Sequence, residues 1–435
     1  MPINFYYDRI IEEGPVPNGI DEYFIDKWQW PLPFGNQKAM PIVKIISSFY
    51  YTMLKNDCNI ELFTDENICS NLFYPLEVNS FGVNLNIPEK TFEYLRDSKI
   101  KLLFLGLEFQ GRQQLLWLKN LADKFLSTGI SYNNIFIVTS DLNNSYKKLL
   151  RPYKTYSLDW WQIESRLIIC DKFCKKKYTD FKYRHFLEAS ILPIKEFDLD
   201  KFKPKKLFDS VSKTSTIHRL CLISELIVNN LDKDGIINYV PINYTDPNLV
   251  DYKINYDTDV NLLDTFRNDE YLERKRETLS LLQEEGINLE LCDNISYYKN
   301  SLFTIVTPSF AAHKNLEYMD EINSLFTTFE IWQLIALGKP FIVLGSCQLI
   351  KYLNREGYFT FYDIINEEYD TFLDFPKRAK LICDQLIRIR DSCDTEKKLE
   401  QVKEFTKINR EKYLGRTHQV KFLELFDEMR YGRKY

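Results

Sequence analysis

Apolar residues along this chain gather into short unbroken runs, each followed by a polar loop and then by a stretch of helical spacing. Ser301-Leu-Phe-Thr-Ile-Val-Thr-Pro308 reads as a buried strand, Thr327 to Leu337 as a helix, and Phe341-Ile-Val-Leu-Gly345 as a second strand. Between the last two stands Gly338-Lys339-Pro340, where a helix stops and the chain re-enters a sheet. Strand, loop, helix and strand in this order make a parallel α/β unit. The same grammar occurs earlier. Lys101 to Leu107 is a strand, Glu108-Phe-Gln-Gly111-Arg112 a polar loop, Gln113 to Leu126 a helix, and Asn134 to Thr139 a strand running into Ser140-Asp141. Ahead of these, Val43, Ile46, Phe49, Tyr50 and Met53 recur at helical spacing before a strand at Ile60-Glu-Leu-Phe63. Ligands of such sheets sit beyond the carboxyl ends of the strands, which directs attention to the polar residues between Val306 and Trp332.

Between the two halves, Glu196 to Lys206 is highly charged and broken by Pro204, the composition of a domain linker. Leu207 to Val211 then opens a second α/β unit, with Ser212-Lys213-Thr214-Ser215-Thr216 as its loop and a helix from Ile217 carrying Leu220, Leu222, Ile223, Leu226 and Ile227. Hydroxyls at a helix start satisfy its orphan amides, and anions dock at the same place. With Lys213 and Arg219 beside it, this is the phosphate-binding candidate of the chain, the alternative being a plain capped helix with surface cations. Residues 1–40 hold too many prolines and glycines for more than short elements. The aromatic and basic stretch 151–186 reads as an amphipathic helix with a solvated basic end, its rival being a nucleic-acid surface. Asp257-Thr-Asp259 has the spacing of a metal-diphosphate motif, but so short a pattern arises by chance in a chain with 62 acidic residues.

Composition adds bounds. A chain of 435 residues exceeds the size at which a single core stops growing, so two domains are expected: 1–203 and 204–435. The nine cysteines include no Cys-x-x-Cys pair and the four histidines are scattered, which gives neither a disulfide framework nor a metal site and fits reduced thiols in a cytoplasmic setting. A net charge of −5 offers no general attraction to nucleic acid. No apolar window is long enough for a membrane span.

Two stretches resemble a known family. Lys206 to Tyr239, centred on Thr216-Ile-His-Arg-Leu-Cys-Leu-Ile-Ser-Glu-Leu, and Ser301 to Arg378 resemble the virus- and phage-encoded glycosyltransferases of the GT-B type. The second stretch carries Thr328-Phe-Glu-Ile-Trp332-Gln-Leu-Ile335, Pro340-Phe-Ile342, Tyr352-Leu-Asn-Arg355-Glu-Gly357-Tyr-Phe-Thr360-Phe361 and Glu368-Tyr-Asp370. Trp332-Gln333 also stands where the β-glucosyltransferases of T-even phages have Trp-Glu. The departures are specific: Phe329-Glu330 replaces a Glu-Lys pair, Gln333 replaces the glutamate that holds the nucleotide ribose, and Pro308 replaces an acidic residue.

The resemblance implies two Rossmann-like domains facing a central cleft, an acceptor domain followed by a nucleotide-sugar domain. It also implies transfer of a sugar from a nucleotide-sugar to an acceptor hydroxyl, in host cytoplasm if the source is viral, with no metal or further cofactor. Lys213, Thr214, His218 and Arg219 would face the diphosphate, and Thr307, Thr328, Glu330, Trp332 and Gln333 the nucleoside. The base that takes the acceptor proton would come from the first domain, where Glu108 and Asp141 each follow a buried strand. Two rivals stand beside this expectation: a transferase acting on a modified DNA base, and a non-catalytic virion or interaction protein on a degenerate GT-B fold.

Overall fold

The computed structural model describes residues 3–6, 60–63, 68, 72–77, 87–106, 112–143, 148–160, 162–163, 165, 203–212, 217–239, 277–278, 298–308, 325–392, 395–415 and 417–431. The chain divides into two compact units. One comprises Met1–Lys177, Ser324–Phe326 and Arg416–Tyr435, the other Tyr178–Asn323 and Thr327–Gly415.

The first unit holds a six-stranded parallel sheet: β1 (Ile3–Tyr6), β2 (Ile60–Phe63), β3 (Leu72–Glu77), β4 (Ile100–Gly106), β5 (Ile135–Thr139) and β6 (Lys154–Ser157). Its spatial order is β2-β1-β3-β4-β5-β6. The central strands β4 and β5 are buried along almost their whole length, as their continuous apolar runs require. Helices α1 (Glu89–Arg96) and α2 (Arg112–Ser127) add Leu95, Leu115, Leu118, Ala122 and Phe125 to the core. β3 contains Pro75, which cannot donate to a ladder.

The second unit holds β7 (Lys206–Ser212), α3 (Ile217–Val228), β8 (Gly235–Tyr239), β9 (Ser301–Val306), α4 (Phe329–Leu337), β10 (Phe341–Val343), α5 (Leu349–Arg355), α6 (Phe375–Arg390) and α7 (Thr395–Leu414). Its four strands are parallel, in the order β10-β9-β7-β8. Both sheets are wound alike: the chain steps outward from the first strand to the second, then returns past the first to build the other side. In the second unit the winding reverses between β7 and β9, the topological switch point at which doubly wound sheets bind ligands. The helix stop at 338 is as the spacing predicts. Gly338 adopts φ 75°, and its N–H and that of Lys339 bond to the carbonyls of Ile335 and Leu334.

At the amino ends of β9 and β10 lies a buried polar network. Asp209 Oδ2 accepts from Ser301 Oγ and from Thr304 Oγ1 at 2.7 Å, while Lys339 Nζ donates to Tyr298 O at 2.9 Å and Ser301 Oγ at 3.1 Å. Burial drives the Lys339 ammonium down to about 7, against the pull of Asp209. The last helix, α8 (Thr417–Tyr431), belongs to the first unit, where Phe426 meets Phe5 and Phe73 edge to face at 5.8 Å each. Among the described residues no helix is long and apolar enough to cross a membrane.

Candidate functional site

The switch point of the second unit is built by α3 and the end of β9. α3 leaves the carboxyl end of β7 and lays two consecutive side chains on the residues that follow β9. Arg219 Nε donates to Thr307 O at 3.0 Å and to Thr307 Oγ1 at 3.2 Å, and its Nη2 donates to Thr307 O at 2.6 Å. His218 Nε2 bonds to Pro308 O at 2.7 Å, which requires the proton on that nitrogen. Burial, and then the Arg219 charge, hold His218 well below its ordinary range, so the ring is neutral. The Phe375 ring lies 5.3 Å from it. A neutral histidine and a charged guanidinium thus fix the backbone at the carboxyl end of β9.

A second guanidinium supports the neighbouring loop. Arg378, on α6 and fully buried, donates from Nη1 to Gly345 O at 2.5 Å and pairs through Nη2 with Asp370 Oδ1 at 3.3 Å. The other oxygen of Asp370 accepts the Ile350 N–H at 2.9 Å, in the first turn of α5, and the Asp370 carbonyl accepts the Gln348 N–H at 2.8 Å. A Cβ on Gly345 would lie 3.1 Å from the Pro308 ring, so this loop and the end of β9 are in close contact. Arg219, His218, Arg378 and Asp370 together hold the carboxyl ends of β9 and β10.

α4 runs down to β10, so its amino end rises at the same carboxyl edge. Thr328 is the N-cap but makes no capping bond; its Oγ1, in a residue 8% exposed, is buried without a partner among the described residues. Gln333, 3% exposed, has its Nε2 buried without an acceptor among the described residues. Buried polar groups are nearly always satisfied, so each of these two groups on α4 calls for an explanation. Glu330 is exposed and near enough to Tyr298 to help raise its hydroxyl, after burial and Asp209.

Three residues expected at the nucleoside, as base or at the diphosphate make other contacts here. Trp332 is fully buried; its Nε1 donates to Thr327 Oγ1 at 2.7 Å, and its ring stacks on Tyr413 at 5.8 Å and meets Tyr358 at 5.2 Å. It fastens α4 to α7. Asp141 is buried, and its Oδ1 accepts the N–H groups of Asn143 at 2.9 Å and Leu325 at 3.3 Å. Arg219 spends Nε and Nη2 on Thr307. Glu108, Lys213 and Thr214 lie outside the described residues, as do Asp257-Thr-Asp259 and the helix expected at 43–53. Arg378 and Phe375 are not among the residues that the sequence points to; the nearest signal is the acidic-Tyr-Asp run ending at Asp370, the partner of Arg378.

These two units define the chain as an α/β protein of parallel, doubly wound sheets. No protein-family model matches it, and no curated protein does. Among solved structures, a glycosyltransferase from Rickettsia africae ESF-5 aligns over 84% of this chain and 100% of its own, with 13% identity and a TM-score of 0.29, a likeness too loose to carry an argument.

Proposed function

We propose that this protein is a glycosyltransferase whose second unit binds a nucleotide-sugar and which passes the sugar to an acceptor hydroxyl. The observation that carries the reading is the pair of buried groups on α4 without a partner among the described residues, Thr328 Oγ1 and Gln333 Nε2, on the helix whose amino end rises at the carboxyl edge of the sheet. Hydroxyl and amide groups in such a place suit the ribose and base of a nucleoside. The diphosphate then falls towards the start of α3, where helix amides and cations offset the charge that develops as the bond to the sugar breaks. The motifs shared with the viral and phage GT-B enzymes support the same reading. Asp141 is committed to its loop, which makes Glu108 the base to test.

The test is a thermal-shift and calorimetric screen against UDP-, GDP-, ADP- and CMP-sugars. A donor at a hundred times its dissociation constant stabilises the native state by about 2.7 kcal/mol. Gln333→Leu removes a buried group that lacks a partner, so the free protein should keep or gain stability, by up to about 1 kcal/mol, while donor affinity falls roughly tenfold or more. Glu108→Gln should bind the donor normally and lose transfer. No saturable binding of any donor by the wild type, or equal binding by Gln333→Leu, refutes the assignment.

A further inference from the structure

At the amino-terminal rim of the first sheet, three elements far apart in sequence deliver cations to one place. Lys101 interrupts the apolar run of β4, between Ile100 and Leu102, both fully buried. It pairs in register with Phe73 on β3, while on the far side Phe136 of β5 pairs with Lys154 of β6. The Lys101 ammonium lies 5.7 Å from the ring centres of both Phe73 and Phe136, and the Lys154 ammonium 4.9 Å from that of Phe136, so two cations share one ring. Arg430 follows one turn after Phe426 on α8, the helix that covers this face.

We propose that Lys101, Lys154 and Arg430 form a binding site for a doubly charged phosphate group, in the form of a phosphate ester or a pyrophosphate. A run of lysines on a single helix is ordinarily a solvated face; cations brought together from β4, β6 and α8, two of them half-buried, are not. Burial, and then the charges of Lys154 and Arg430, keep the Lys101 ammonium below its ordinary range, as expected where the three cations lie close together. Phe73 and Phe136 are fully buried, so their faces steady the ammonium groups but leave no surface on which a base could stack. The site therefore reads charge rather than sequence. Glu428 stands at its margin, near enough to Tyr156 to help burial raise that hydroxyl to about 12, and bounds the site on the side of β6.

Hydrogen exchange of the full-length protein, followed through a titration with pyrophosphate at constant ionic strength, tests this. Exchange should slow in β4, in β6 and in the last turn of α8. In Lys154→Gln, an exposed position whose change leaves the fold intact, half-saturation should shift about tenfold upward, the scale of one lost charge-assisted contact. Exchange that does not slow in these three segments, or a half-saturation unchanged in Lys154→Gln, overturns the proposal. Because the readout is confined to the first unit, its outcome is separate from that of the donor screen.

Discussion

A carboxyl group that must give up water on folding records the fact in its proton affinity, as Glu367 does. Its oxygens accept from Thr360 Oγ1 at 2.8 Å and from the Phe361 N–H at 2.9 Å, tying the acidic turn to the Gly-Tyr-Phe-Thr-Phe segment. Burial nevertheless raises it to about 7, the two hydrogen bonds resisting and Asp363 adding to the rise. Between its ordinary value of 4.5 and about 7, the folded state holds a proton that the unfolded state has released. Its contribution is thus fully present below the unfolded value and is lost as pH rises through the folded one. Discounted for partial exposure, the loss is about 2 kcal/mol. Urea titrations at about pH 4.5 and about pH 8 should show wild type losing that much more stability across the interval than Glu367→Gln, whose amide does not titrate. Equal losses in the two proteins would mean that Glu367 ionises normally in the fold.

Between elements, the pair Asp370–Arg378 joins α6, the first turn of α5 and the loop after β10. Asp370→Asn keeps the shape but leaves a fully buried guanidinium without its carboxylate, a change that costs about 3 kcal/mol, whereas Asp370→Asn combined with Arg378→Met removes the stranded charge and should recover part of it. Chemical denaturation of the two variants checks this; a double variant less stable than the single would show that the guanidinium matters mainly through Gly345. Neither residue discloses this role by its spacing, because Arg378 meets Gly345 only through tertiary packing. The central strands were legible for the opposite reason: β4, β5 and β9 are buried on both faces, so their runs are apolar whatever they contact. β3 was not, since Pro75 argues against a central strand, and β6, Lys-Thr-Tyr-Ser, has the half-exposed composition of an edge. At the site, Thr328, Gln333, His218 and Arg219 were reachable from motifs, yet which groups are satisfied depends on distances that no spacing encodes. Trp332 shows the limit: a motif position expected at a nucleoside is the centre of an aromatic core.

At the scale of the molecule, the chain does not finish where a linear division at 203/204 would leave it, because α8 returns to the first unit and closes one face of its sheet. Leu425, Phe426 and Met429 are buried there, with Phe426 set against Phe5 and Phe73. Burying large apolar side chains contributes about 1.5–3 kcal/mol each, so the three together supply on the order of 5–8 kcal/mol, comparable with the whole stability of a typical domain. A protein truncated after Gly415 should therefore lose the first unit while its second unit, whose α7 ends at Leu414, keeps every element of its sheet and helices. Hydrogen exchange resolved along the chain distinguishes the outcomes. Protection in β3, β4 and β5 should collapse in the truncated protein while β7, β9 and β10 stay protected, and a synthetic peptide spanning residues 416–435, added in excess, should restore part of the protection by mass action. Protection that persists in β3 to β5 would show that α8 is an accessory to that core, and protection lost equally in both sheets would show that the two units do not fold separately.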